Sequence, residues 1–184
     1  MKTPLALDQL NRLDREAFAE ALGFVFEGPP WPQRAAWDAR PFASVAALHC
    51  ALCDALARAP EEQQVALIRA HPDLAGQAAV AGDLTPESTR EQASAELDRL
   101  TPEEFARFTA LNSAYRERFG FPFVICVRRQ TRESILRAFA ARLVNDRARE
   151  IATALAEIGE IARLRLADGV IANQAHEGRA DGER

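Results

Sequence analysis

Only one stretch of this chain reads as a β-strand, and that narrows the fold more than any other feature. Phe121-Pro122-Phe123-Val124-Ile125-Cys126-Val127 is a continuous apolar run. Pro122 removes a ladder donor, and no second run of this kind offers a partner strand. The expected fold is therefore all-α: a single-domain helical bundle in which residues 121–127 form one extended, irregular segment threaded through the core.

Helical punctuation recurs along the rest of the chain. Asp14 is a candidate N-cap ahead of Phe18 and Leu22, and Gly23 offers a stop. Residues 24–42, rich in proline and aromatics, read as an irregular, partly buried connection. Ser44 caps a helix with Val45, Leu48, Leu52 and Leu56 on one face. Pro60-Glu61-Glu62 opens another, with Val65, Leu67 and Ile68 as its apolar side. That helix must end near Ala70, because His71 precedes Pro72 and is biased away from αR. The small-residue stretch 76–84 reads as a loop. Thr85-Pro86-Glu87 and Thr101-Pro102-Glu103-Glu104 each combine a cap, proline at the first helical position and an early acid. Phe105, Phe108, Leu111 and Tyr115 give the second of these helices a core stripe, which Gly120 ends. Thr131 caps a helix carrying Ile135, Leu136, Phe139 and Leu143. Asn145 is the expected cap of the last helix, where Ile151, Leu155, Ile158, Ile161 (or Ala162) and Leu166 recur. The domain is expected over 1–171, with 172–184 a polar, disordered tail.

Composition excludes several classes. The 184 residues suit one domain, and 48% hydrophobic content is enough for a core without staples. The net charge of −4, with acids and bases interspersed, offers no basic stripe for nucleic acid. Three cysteines argue against a disulfide framework and for a reducing compartment. No apolar run approaches a membrane span. Pro4, Asp8 and Asn11 interrupt the start of the chain where a signal peptide would be apolar, so the expected location is cytoplasmic.

Several residues could carry chemistry. His71 sits at a helix exit in Arg69-Ala70-His71-Pro72-Asp73-Leu74, a junction where scaffolds present catalytic side chains. A pKa of about 6.5 suits proton transfer near neutrality. A structural histidine bonded within the turn would fit the same place. Ser88, Glu91, Gln92 and Ala95 fall on one helix face, either a polar pocket wall or a solvated surface. Cys50 and Cys53 follow His49 as C-x-x-C inside an amphipathic helix. With no second ligand pair and no βαβ context, they read as small packing residues, His49 as a surface residue, Cys126 as core and His176 as part of the tail. Arg163 or Arg165 could hold a carboxylate, and spacing does not choose between them.

Taken together, these stretches resemble one family. His71-Pro72-Asp73-Leu74-Ala75-Gly76 is similar to its HPDLAG signature, and Ser88-Thr89-Arg90-Glu91-Gln92 to its S-x-x-E-Q element. Phe108-Thr109-Ala110-Leu111-Asn112-Ser113-Ala114-Tyr115, followed by Phe119-Gly120-Phe121-Pro122-Phe123-Val124-Ile125, resembles its F-x-x-L-N-x-A-Y…F-G-F-P-F-V-I block, and Arg165-Leu166 its C-terminal R-L. The family is the 2-oxo-4-hydroxy-4-carboxy-5-ureidoimidazoline (OHCU) decarboxylases. The likeness runs in order from about Leu5 to Val170. Gly169 departs from it, standing where a larger apolar residue is commoner, which could loosen the helix end. So does the carboxy-terminal Gly182-Glu183-Arg184, which lacks the family's peroxisomal tripeptide.

The resemblance implies cofactor-independent decarboxylation of OHCU to (S)-allantoin in urate breakdown, because the substrate's conjugated C=N can absorb the electron pair that CO₂ leaves behind. It implies no metal and no cofactor, a small-molecule partner, neither nucleic acid nor membrane, and a homodimer as an allowed assembly. His71 and Glu91 would be catalytic, with Glu91 either orienting His71 or binding ureido nitrogens. Pro72, Ser88, Gln92, Arg165 and the backbone of Phe123 and Ile125 would bind substrate. Two other classes stay open: a non-catalytic helical domain that binds ureides or a partner helix, and a metal-dependent hydrolase built on His71, Asp73 and Glu91.

Overall fold

The computed structural model describes residues 4–172 except 77, 78 and 80, so part of the expected loop 76–84 and nearly all of the expected tail, with His176, lie outside the described residues. Nine α-helices are found among the described residues: α1 (Leu7–Arg12), α2 (Arg15–Ala21), α3 (Trp31–Ala36), α4 (Val45–Arg58), α5 (Glu61–Arg69), α6 (Pro86–Ser94), α7 (Pro102–Phe119), α8 (Arg132–Arg142) and α9 (Arg147–Gly169). None of these helices is long and apolar enough to cross a membrane.

The caps explain most boundaries. The side chains of Asp14, Ser44, Thr85, Thr101 and Thr131 each accept the backbone N–H three residues on. These bonds satisfy donors that a helix start leaves orphaned. Gly120 ends α7 with φ +77°, a left-handed turn open to glycine at little cost.

Residues 121–127 are all buried and join no sheet, as expected of a threaded segment. Side chains meet part of its backbone demand. Arg142 Nη1 donates to the Val124 carbonyl at 2.7 Å, and the Cys126 N–H donates to Glu157 at 2.8 Å. Arg142 is held in turn by Glu150, which also takes the Tyr115 hydroxyl and the Asn145 amide. Phe123 stacks on Phe139 with ring centroids 3.8 Å apart, and Tyr115 meets Phe119, Phe121, Phe123 and Phe139 at their edges or at a tilt. The extended segment is thus the centre of the aromatic core, and α9 closes the bundle against α4 and α5.

Five expectations need correction. Residues 24–42 are not wholly irregular: Pro32 lies in the first turn of α3, which packs on α2 and α4, and a 3-10 turn follows at Trp37–Ala39. The cap of α9 is Asp146, which accepts from Arg149 N–H, while Asn145 bonds Glu150 instead. Phe105 is 37% exposed and Leu111 half-buried, so the α7 stripe runs through Phe108, Asn112, Tyr115 and Phe119. Two short strands, Leu5–Ala6 and Val170–Ile171, pair in parallel and fasten the start of α1 to the end of α9. The end of α9 is not loosened by Gly169: the helix runs through it, and a Cβ there would lie 2.6 Å from the Phe24 ring.

Candidate active site

The polar face of α6 turns inward. Ser88 and Gln92 are buried and the Glu91 side chain is 12% exposed. What keeps this face out of water is Arg165 from α9. Its Nε and Nη2 form a two-toothed pair with Glu91, both at 2.8 Å. Nη2 also reaches Glu27 at 3.1 Å and the Ser88 hydroxyl at 3.3 Å, and Nη1 donates to the Phe24 carbonyl at 3.3 Å. A guanidinium has five N–H donors. Among the described residues one Nη1 N–H of Arg165 is left over. Burial alone would strip Arg165 of its proton more easily, but the two carboxylates outweigh it and raise its pKa. Arg163, two residues earlier, points to an exposed pair with Glu160, so of the two arginines Arg165 is the one that joins this buried cluster.

His71 is buried, and its Nδ1 lies 3.0 Å from the Leu67 carbonyl one helical turn back. A carbonyl only accepts, so Nδ1 carries the proton and Nε2 is left with its lone pair. Burial drives the ring toward its neutral form, down to about 4, with the Leu67 bond and the Glu27 charge opposing and Arg165 assisting. His71 is therefore a neutral imidazole within reach of the fields of Glu27 and Arg165. Glu91 does not orient it; the Leu67 carbonyl does.

The loop after His71 is clamped by three side chains. Gln92 Oε1 accepts the Ala75 N–H at 2.9 Å, and its Nε2 lies 3.5 Å from the Asp73 carbonyl. Asn112 of α7 donates to the Leu74 carbonyl at 2.9 Å, and Arg116 bonds the Asp73 carboxylate at 2.9 and 3.1 Å. Ala75 sits at φ +49°, a left-handed conformation unusual without glycine, which those bonds sustain. The two motifs thus divide their work. In the α6 element, Ser88 and Glu91 serve the arginine while Gln92 holds the histidine loop. In the α7 element, Asn112 holds the same loop while Tyr115 anchors the core.

Pro72 is half-buried beside His71, where it ends the helix. Phe123 and Ile125 are buried, and the Phe123 side chain is spent on Phe139 and on the Arg142 guanidinium 4.4 Å from its ring. Their segment ends next to α6, which packs on the turn at Val127–Arg129. The Glu91 charge is felt at Cys126, whose thiol is pushed up to about 11, by burial first, then Glu157, then Glu91. Asp73, His71 and Glu91 are each engaged separately, and no three His, Cys, Asp or Glu side chains form a metal-holding group among the described residues. Cys50 is exposed, whereas Cys53 is half-buried with Sγ 3.3 Å from His49, which bonds the Gly159 carbonyl at 2.9 Å and so is not a free surface residue. The groove of about 560 Å³ beside these residues, between α4, α5 and α9, contains none of the His71–Arg165 array.

Glu27 is the residue that sequence reasoning missed. It is buried, and it takes the hydroxyl protons of Thr85 (3.0 Å) and Ser88 (2.8 Å). Burial alone would raise its pKa, but the Arg165 charge and the hydrogen bonds from Ser88 and Thr85 together hold it below the ordinary carboxylate value. Its place is set by the turn it sits on: the next residue, Gly28, has φ +81°, and a Cβ there would meet Ala70 Cβ at 2.7 Å, so the turn presses against the end of α5.

The OHCU decarboxylase family model matches residues 11–167. The chain is 40% identical over 164 residues to the 2-oxo-4-hydroxy-4-carboxy-5-ureidoimidazoline decarboxylase of Halalkalicoccus jeotgali, covering 89% of this chain and 91% of that one. It is 43% identical over 164 residues to the protein of that name from Haloferax volcanii, covering 89% and 95%. The crystal structure of (S)-allantoin synthase superposes with a TM-score of 0.70 at 25% identity, over 91% of this chain and 54% of that one. The fold also matches that of OHCU decarboxylase crystallised in the presence of (S)-allantoin, with a TM-score of 0.64 at 20% identity, over 85% and 97% of the two chains. With the family model spanning α2 to α9 and relatives matched over nine-tenths of their length, the chain belongs to the OHCU decarboxylase family.

Proposed function

We propose that this protein decarboxylates OHCU to (S)-allantoin without a cofactor. The observation that carries the reading is His71: a buried, neutral imidazole whose Nδ1 is committed to Leu67, leaving Nε2 with its lone pair, in a ring that feels the charges of Glu27 and Arg165.

The substrate carries a hydroxyl and a carboxylate on one ring carbon, and a ureido group on the neighbouring C=N carbon. When the carboxylate leaves as CO₂, its bonding pair moves into the ring and onto the imine nitrogen, which takes up a proton. The hydroxyl proton then leaves as the carbonyl forms, and a proton enters at the carbon bearing the ureido group. His71 Nε2 is the base for the hydroxyl proton. Arg165 has one N–H to spare for a substrate oxygen, and it frees two more if Glu91 turns from it to the ureido nitrogens. The backbone of Phe123 and Ile125 and the Ser88 hydroxyl supply further contacts, Pro72 fixes the approach of His71, and Gln92 acts through the loop it holds as well as toward the ring. Holding the intermediate with one face toward the proton donor gives a one-handed product. A cytoplasmic location and a homodimer complete the proposal, the latter checked by light scattering on the purified protein.

The test is turnover of freshly generated OHCU, followed by absorbance and by circular dichroism of the product, with and without exhaustive chelation. Accelerated decay to (S)-allantoin that survives the chelator is expected. No acceleration over spontaneous decay would favour a ureide-binding domain, and loss with EDTA reversed by a divalent ion would favour a metal-dependent hydrolase.

A further inference from the structure

Glu27 has no task in the mechanism above, yet it is the carboxylate that joins three parts of the site. Its Oε1 takes all three donors: the Thr85 hydroxyl, the Ser88 hydroxyl and Arg165 Nη2. Thr85 and Ser88 come from the start of α6, Arg165 from near the end of α9 and Glu27 from the turn before α3, so one oxygen pins three segments to each other. Two consequences follow from counting protons. A hydroxyl has a single proton to donate. Ser88 spends its own on Glu27 and receives Arg165 Nη2 at 3.3 Å, so toward a ligand it has only a lone pair to offer. Arg165, meanwhile, has a second carboxylate that stays when Glu91 moves.

We propose that Glu27 is a positioning residue for the reaction: it holds the Arg165 guanidinium in place independently of Glu91, and it turns Ser88 into an acceptor that fits an N–H of a ureide. This inference rests on the decarboxylase reading for its substrate, though not for its geometry. A neutral amide at position 27 can also donate, so it would free Ser88 to reverse its hydrogen bond and would leave Arg165 held by Glu91 alone. The charged groups that bear on His71 are Glu27, which favours a protonated ring, and Arg165, which opposes it. Removing the Glu27 charge therefore lowers the His71 titration midpoint.

The experiment begins with wild-type turnover of OHCU, whose failure would sink the decarboxylase reading alone. Glu27→Gln is then compared by kcat, KM, thermal melting and NMR titration of the His71 ring in the substrate-free protein. A loss of kcat on the order of 100-fold, as a misplacement near 1 Å can cause, is expected with a lowered His71 midpoint. Glu27→Asp keeps the charge but withdraws it by one methylene, and serves if the Gln protein does not fold. It should lose kcat while the His71 midpoint stays nearer wild type. Wild-type kcat and KM per folded molecule with an unmoved midpoint, even at a reduced Tm, would overturn the inference by making Glu27 merely structural. The midpoint is read without substrate, so it tests Glu27 even if the wild-type protein were inactive.

Discussion

Replacing Arg165 with methionine keeps most of the side-chain volume and removes the cation that pairs with both Glu27 and Glu91. The arginine side chain is 4% exposed and the two carboxylates 8% and 12%, so little water is available to replace it. Removing one member of a buried ion pair leaves its partner charged and uncompensated, at a typical cost of about 3–5 kcal/mol. In a chain of this size each kcal/mol lowers Tm by about 2–4 °C, so Arg165→Met should melt roughly 6–20 °C below wild type near neutral pH. The pH dependence gives the argument a sign. In the variant Glu27 lies buried without its cation, so burial raises its folded-state pKa and the penalty is relieved as it protonates on acidification. In the wild type the Glu27 pKa is depressed below 4.5, so its contribution is fully present above that value and is lost only as pH falls through the depressed value. The Tm gap should therefore be widest at about pH 7.5 and narrow toward about pH 5. Thermal melts of both proteins at the two pH values measure it, with Arg163→Met as a control that should melt with wild type, because its pair with Glu160 is exposed. A gap that is equal at both pH values, or absent, would refute the account of a buried two-carboxylate clamp.

His71→Asn and Glu91→Gln should each lower OHCU turnover by about 10²–10⁴-fold; His71→Asn should cost about 0.5–3 kcal/mol of stability, and Glu91→Gln less than Arg165→Met, because Glu27 still pairs with the arginine. Turnover assays beside thermal melts decide this, and near-wild-type turnover in a folded His71→Asn protein would remove the base from the mechanism. With the His71 pKa pushed down to about 4, the neutral base is present throughout the mildly acidic range. A pH profile of kcat/KM should then show its acid limb near about pH 4, and a limb near about pH 6.5 would mean that the ring is solvated in the working enzyme. Joint replacement of Cys50 and Cys53 by serine should leave turnover intact, since Cys50 is exposed and the Cys53 thiol meets the His49 ring, outside the His71–Arg165 array. Loss of activity in a folded double variant would give the C-x-x-C a role.

The helices were legible because their signals are local. A Thr-Pro-Glu start, a proline after His71 and a glycine at position 120 act through backbone sterics and nearby donors, which any chain with those residues experiences. The lone apolar run was legible for a similar reason: without a partner strand it had to be buried as an extended segment. Single-residue errors came where two local candidates compete, as Asn145 and Asp146 do for one cap, and where burial depends on a distant surface, as at Phe105. The α6 face shows the boundary most clearly. Its spacing placed Ser88, Glu91 and Gln92 together, but pocket wall and solvated surface remained equivalent until α9 brought Arg165 against it. Glu27 lies 138 residues from Arg165 in the chain and carries no periodic signal, so nothing local could join them. The charge state of His71 is likewise tertiary, because it follows from how completely the surrounding chain excludes water. Which side chains stand at helix ends and on shared faces can be read along the chain, since those relations are set within a few residues. Which of them meet follows from the packing, because pairing a buried guanidinium with two carboxylates depends on where distant segments come together and on the low-dielectric space they enclose.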